Sequence, residues 1–469
     1  MPVPRTLVAL FVICIAIVIG FVAFAWHAAI DPIAAQSQNF SPQLVKRGAA
    51  LAALGDCITC HTAPSGQAFA GGRAVTTPFG AIYATNITPD ADTGIGRWPE
   101  SAFRRAMREG VDREGRQLYP AFPYDHFTLV NDDDIQALYA YMMTRDPVHA
   151  TSPANELSFP FNIRPLVAGW KFLFFRQGPY QSDPAQSAQW NRGAYLVDGL
   201  AHCGACHSPR NDLGAERKEA RFSGGNADGW AAYALDQSAP APVRWDEKAI
   251  AFFLHNGWHP AHGVAHGAMA PVVDDLASIP DSDIAAIATY MKGILGEPSE
   301  KQRLAGDALI EQSRQRRFGS KPTPGEIQSV QLPEDDLKPG AVIYQAACAS
   351  CHNSGRPLPF GGVDLALSTA SSAPTPRNII NMVLWGLPAA DARHSPIMPG
   401  FANVLTDRQL SALITYVRAK FSNRPPWTGI NEDIQNARDG VSPVEVYPAP
   451  AINPAPMTVG EADRHREAQ

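Results

Sequence analysis

The pattern Cys-x-x-Cys-His occurs three times, at almost constant spacing. The copies run from Cys57 to His61, Cys203 to His207 and Cys348 to His352, with successive starts 146 and 145 residues apart. A fixed period of this kind signals one structural unit repeated along the chain. Two thiols three residues apart on a turn can each add to one vinyl group of a haem. The adjacent His then points its ring at the iron. The pattern implies three covalently bound haem c groups. Cys57, Cys60, Cys203, Cys206, Cys348 and Cys351 would be the attachment points, and His61, His207 and His352 the proximal ligands. Zinc needs four N or S ligands, and each copy offers three. A thioredoxin-like pair would need a βαβ pattern around it, which the sequence lacks.

The flanks repeat as well. Arg47-Gly48-Ala49, Arg192-Gly193-Ala194 and Pro339-Gly340-Ala341 each precede a motif by about nine residues. Downstream, each unit closes on an acidic start with apolar residues every third position. These are Asp132 with Ile135, Leu138 and Tyr141; Asp281 with Ile284, Ile287 and Tyr290; and Asp407 with Leu410, Leu413 and Tyr416. That spacing predicts three closing helices with acidic N-termini. The expected fold is mainly α: three tandem class I-like cytochrome c domains after one N-terminal transmembrane helix. The expected boundaries are 1–36 for an anchor or signal, and 40–146, 186–296 and 336–424 for the domains. Linkers are expected at 147–185 and 297–335, with a Pro-rich tail at 425–469. The 37 Gly and 41 Pro suit short helices and long loops.

Thr6 to Ala25 carries no charge and is almost wholly apolar. Twenty helical residues span about 30 Å, the thickness of a bilayer core. The segment reads as a membrane anchor, with Ala23-Phe24-Ala25 as an alternative cleavage site for a signal. Either reading exports the chain. Arg5 precedes the segment, so the N-terminus is expected in the cytoplasm and the bulk in the periplasm. The net charge is −6 and no long basic run is present, which argues against nucleic acid as a partner.

A Met opposite the His raises a haem's potential and suits electron transfer. The second unit offers Met269, within Gly267 to Pro271, and the third offers Met398, within Pro396 to Gly400. The first unit departs, with Phe122 at the matching position and His126 four residues on. His126 could supply a His/His haem. An open site, or a Met such as Met107, Met142 or Met143, are the alternatives. His255, His259, His262 and His266 cluster before Met269 and read as hydrogen-bond partners of haem propionates or as exposed surface residues, with a second metal site as the alternative.

These features sit among further segments. They are Thr85 to Asp90, Thr93 to Gly96 with Trp98, Leu118 to Ala121, Phe159 to Arg164 and Trp190 to Leu196. On them the chain resembles the membrane-associated triple-haem cytochrome c subunits of periplasmic dehydrogenases. The resemblance implies an electron-relay subunit that is not an enzyme on its own. A separate catalytic subunit of quinoprotein, flavoprotein or molybdenum type would oxidise the substrate, accompanied by a small third subunit. Ubiquinone, at the inner membrane, would take the electrons. In that family the first loop often carries Met where this chain has Phe122. Phe there, followed by Asp125-His126-Phe127, is similar to the molybdenum-partner branch. A free-standing carrier is the alternative reading, and a peroxidase at an open first haem a further one.

Overall fold

The computed structural model describes residues 5–34, 39–318, 334–387 and 396–440. The longer helices among them are α1 (Arg5–Ala25), α2 (Pro42–Leu54), α3 (Glu100–Glu109), α4 (Asp132–Met143), α5 (Val167–Phe174), α6 (Ala188–Tyr195) and α7 (Glu247–Asn256). They continue with α8 (Met269–Leu276), α9 (Asp281–Leu295), α10 (Glu300–Phe318), α11 (Glu334–Ala347), α12 (Arg377–Trp385), α13 (Asp407–Phe421) and α14 (Ile430–Gly440). The described strands are short. The largest sheet among the described residues has three antiparallel strands, Ala74–Thr77, Gly80–Tyr83 and Glu156–Leu157, with Ala74 opposite Tyr83 and Gly80 opposite Leu157. The fold is mainly α, and α1 is the one helix among the described residues long and apolar enough to cross a membrane.

One helix crossing recurs three times. α2 packs on α4, α6 on α9 and α11 on α13. At each crossing a glycine of the first helix lies against the backbone of the second. A Cβ on Gly48 would overlap the Ala137 carbonyl and come within 2.6 Å of Tyr141 Cβ. Gly193 stands in the same relation to Ala286 and to Tyr290 Cβ, at 2.8 Å, and Gly340 to Ala412 and to Tyr416 Cβ, at 2.6 Å. The glycine and tyrosine that repeat in the sequence are thus the two sides of one close contact.

The residue before the glycine ties the crossing in two of the three cases. Arg47 Nε donates to Asp134 at 2.8 Å, and Arg192 donates twice to Asp283, at 2.9 and 2.8 Å. Pro339 and Gln409 hold the third pair of positions, and neither residue is charged. Asp134, 1% exposed, also accepts from Tyr195 Oη at 2.6 Å. That bond joins the first and second repeats, which share one continuous apolar core. The third repeat has its own core, built on Tyr344, Ile380, Leu410 and Ile414.

The stretches between the repeats are more ordered than a Pro-rich, polar composition implies. Residues 147–185 contain α5 and a strand paired with Gly80 and Ala81. Lys171 of α5 is buried, donating to the carbonyls of Glu109 and Gly110, at 2.6 and 2.7 Å, and to Gln117 Oε1 at 2.6 Å. A cation on the last carbonyls of α3 is the favoured polarity for a helix C-terminus. After residue 424, Trp427 and Ile434 are buried in the third core, and Arg438 of α14 donates to Asp407. The start of the expected tail therefore folds back onto the third repeat. Its prolines from Pro443 onward lie outside the described residues, as does 319–333 of the second connection.

Candidate functional site

Each motif forms one helical turn, closed by the His amide. The amides of His61, His207 and His352 donate at 3.0 Å to the carbonyls of Cys57, Cys203 and Cys348. All six motif cysteines are free thiols, as is Cys14 in α1. Burial pushes the thiols of Cys60 and Cys203 up to about 12 and that of Cys206 to about 11.

The three histidines share a further feature. Nδ1 of His61 lies 2.7 Å from Thr85 O, that of His207 2.7 Å from Tyr233 O, and that of His352 2.9 Å from Val363 O. A carbonyl oxygen can only accept, so Nδ1 carries the proton and Nε2 keeps its lone pair. Burial holds all three pKa values below the ordinary histidine value, with the carbonyl bonds working weakly against it. Each ring is neutral, fixed in tautomer and able to bind iron through Nε2. A single cavity of about 2810 Å³ touches seven of the nine motif residues, all but Cys57 and His61, together with Met269 and Met398. Free paired thiols, an oriented imidazole and this largely apolar space fit haem c.

The ligand loops are built alike. α3, α7 and α12 end on Gly110, Gly257 and Gly386, with φ of 63°, 75° and 75°, a conformation that suits glycine. The chain then folds back. Leu118 N donates to Gly110 O and Ala265 N to Gly257 O, both at 2.7 Å, while Leu387 and Met398 exchange backbone bonds at 2.8 and 3.0 Å. The chain beyond these turns carries Phe122, Met269 and Met398, of which the two methionines line the cavity. Met398 sits on an isolated β-bridge, whereas Met269 is the first residue of α8 rather than part of an open loop. Phe122 stacks edge-on to Phe127, with ring centres 5.2 Å apart.

Both ring nitrogens of His126 are engaged by the second repeat. Its Nδ1 donates to Asp198 O at 2.7 Å and its Nε2 to Glu216 Oε1 at 2.6 Å, and both partners belong to the second repeat. To bind iron, His126 would have to release one of these bonds. Burial opposes its charge, but the Glu216 hydrogen bond and the charges of Asp125 and Glu216 outweigh that and hold its pKa above the ordinary value. The pair is a charged clamp between repeats, set against the second motif. A Cβ on Gly204 would come within 3.4 Å of the His126 ring and 3.1 Å of Glu216.

A raised pKa stabilises the fold fully below about pH 6.5, the unfolded value, and the gain is lost as pH rises through the folded value. Thermal unfolding followed from mildly acidic to alkaline pH should therefore show a decline in this window that His126→Gln lacks. Identical pH profiles for the two proteins would mean that the clamp contributes nothing.

The histidines before Met269 have local partners. His262 stacks on Trp245 at 3.5 Å, His266 Nδ1 donates to Val264 O at 2.7 Å, and His255 lies 3.9 Å from Asp281. Among the described residues, the grouping of three metal-ligand types within reach of one another is Asp125, His126 and Glu216. The motif segments themselves abut. A Cβ on Gly55, just before the first motif, would come within 3.1 Å of Leu200, just before the second, and Arg73 pairs with Asp228 at 3.1 Å. The third repeat docks on the second through Asn378, which exchanges 2.8 Å bonds with the backbone of Ala231.

Residues 45–146 match the cytochrome c family, and residues 335–417 match the family described as cytochrome c oxidase, cbb3-type, subunit III. The chain is 36% identical over 399 residues to the fructose dehydrogenase cytochrome subunit of Gluconobacter japonicus, covering 81% of this chain and 79% of that one. It is 34% identical to the gluconate 2-dehydrogenase cytochrome c subunit of Pantoea cypripedii, covering 90% and 94%. The chain belongs to the family of dehydrogenase cytochrome c subunits. It is an accessory cytochrome c subunit rather than a catalytic enzyme, and its cofactor is covalent haem c. It is also 45% identical over 417 residues to a nicotinate dehydrogenase subunit of Pseudomonas putida, covering 87% of this chain. It spans 33% of that relative's length.

Proposed function

We propose that this chain carries three haem c groups and relays electrons from a periplasmic dehydrogenase to the respiratory chain. The observation that carries the reading is the histidine geometry, the same in all three motifs, with Nδ1 bound to a backbone carbonyl and Nε2 left for iron. In this reading the domains are 40–146, 186–296 and 336–424, each holding one haem. Cys57 and Cys60, Cys203 and Cys206, and Cys348 and Cys351 form the thioethers, while His61, His207 and His352 are the proximal ligands. When bound, the haem supplies one-electron chemistry at a potential set by its axial ligands. The protein fixes the imidazole tautomer, excludes water with apolar walls and sets one motif against the next.

Met269 and Met398 complete the second and third sites and hold them at high potential. The first site stands apart, since its loop presents Phe122 and His126, four residues on, is engaged across the repeat boundary. The partner is a catalytic subunit of quinoprotein, flavoprotein or molybdenum type, with a small third subunit, and the acceptor is ubiquinone. The 45% identity to the nicotinate dehydrogenase relative, against 36% and 34% for the fructose and gluconate relatives, favours oxidation of an N-heterocycle such as nicotinate. α1 anchors the chain in the inner membrane with its haem domains in the periplasm.

The test is gentle purification from native membranes. Co-elution with a large protein that carries molybdenum, flavin or a quinone cofactor is expected, and adding the substrate of that protein should reduce the haems. Elution alone, with full activity toward quinol or an oxidase, would overturn the dehydrogenase assignment in favour of a free-standing carrier.

A further inference from the structure

The segment from Phe159 to Arg176 contributes no haem-motif residue, though part of it lines the cavity. It is more apolar at its surface than a connection between domains requires. Phe159 is 79% exposed, Phe172 69% and Leu173 57%, and Ile163 and Leu166 are exposed as well. A contiguous exposed apolar patch on a folded protein marks an interaction surface. The rest of the segment is firmly held. Lys171 is buried under α3, and Arg164 donates to Gln117 O at 3.0 Å. Phe159 and Phe172 are presented outward from this fixed base, and Ile163, Leu166 and Leu173, also exposed, border the cavity as well.

The position of α1 identifies the occupant. Phe24, in the last turn of α1, stacks edge-on to Phe172 with ring centres 6.1 Å apart. Gln117 Nε2 donates to Ala25 O at 3.0 Å while its Oε1 accepts from Lys171, so one side chain ties the exit of α1 to α5. Arg105 donates to Ala28 O at 2.7 Å, and the backbone of Ile30 binds that of Arg113 at 2.9 Å. Trp26, at the exit itself, is 70% exposed. Aromatic side chains at this height of a spanning helix lie in the headgroup layer. Between Glu156 and Asp183 the sequence has no acidic residue and, apart from the buried Lys171, has Arg164 and Arg176, a bias that suits an anionic lipid surface.

We propose that residues 159–176 form a second, non-spanning membrane contact, in which Phe159, Ile163, Leu166, Phe172 and Leu173 dip into the bilayer interface beside α1. The spanning helix and this seat together would fix the orientation of the first repeat to the membrane. The inference rests on the reading of α1 as a retained anchor.

The test keeps those two readings apart. The full-length holoprotein is placed in vesicles of phosphatidylethanolamine and phosphatidylglycerol that contain a phospholipid with a photoactivatable acyl chain. Illumination and peptide mass spectrometry then map the cross-links. The expected result is lipid attached to α1 and to peptides from 159–176, the latter several-fold above peptides carrying Phe360 and Val404, which are exposed apolar residues of the third repeat. Phe172→Ser with Leu173→Ser should lower the second set and leave α1 unchanged. Cross-links on α1 with only background at 159–176 would overturn the seat while sparing the anchor, and would point to a protein partner on that surface. No cross-links on α1 would overturn the anchor itself.

Discussion

Met398→Ala is expected to lower one of the three midpoint potentials by at least about 0.1 V, a modest part of the ~0.8 V range that axial ligands command. The same change should turn that haem high-spin and open it to carbon monoxide. The loss follows from the loop geometry. Met398 is held on a backbone bridge to Leu387, directly after Gly386, and reaches the cavity that His352 borders. Met269→Ala should act in the same way on a second haem. Met382, within α12, is the control, because it lines the same cavity but lies inside the helix rather than on the bridge that holds Met398. Met382→Leu should leave all three potentials within a few tens of millivolts. If Met382→Leu moved a potential and Met398→Ala did not, the ligand assignment in the third unit would be wrong.

The second large effect is steric and independent of the axial ligands. Gly193→Ala places a methyl group on the Ala286 carbonyl, backbone against backbone, where no side chain can swing aside. Overpacking a tight contact costs about 1–3 kcal/mol, and more where backbone must move. A loss of about 3 kcal/mol or more is expected from denaturant unfolding monitored by circular dichroism. Gly48→Ala and Gly340→Ala should behave alike, because each meets the second helix at the same depth. Gly293, in α9, offers the contrast. Its added Cβ would meet only Trp190 Nε1, at 3.4 Å, so Gly293→Ala should shift stability by less than about 1 kcal/mol. Equal effects at Gly193 and Gly293 would rule out the close crossing as the reason for glycine.

What could be read from the sequence was what the repeat itself displayed. The glycine before each motif and the tyrosine of each closing helix recur at matching positions, and in space they touch. The closing helices appear where their three-residue periodicity placed them, starting at Asp132, Asp281 and Asp407. Met269 and Met398 line the cavity, as Met291 and Met382 do.

Features outside the repeat were not legible. His126 and Glu216 are 90 positions apart, and neither has a counterpart in the other units, so no period brings them together. The missing Met at Phe122 singles out His126, but a sequence cannot show that both ring nitrogens are already engaged. Arg47 with Asp134 and Arg192 with Asp283 could have been paired by aligning the repeats, since each Arg directly precedes the crossing glycine. Lys171 gave the opposite signal, because a lysine among aromatics in a Pro-rich stretch suggests an exposed loop. Only the folded C-terminus of α3 explains its burial.

The most direct test of the three-haem relay is a potentiometric titration of the purified full-length chain, paired with a haemochrome assay of its haem content. Three haems per chain are expected, all covalent, titrating as two high-potential steps and one separate step from the Phe122 site. Two haems or fewer, or three steps at one potential, would contradict it.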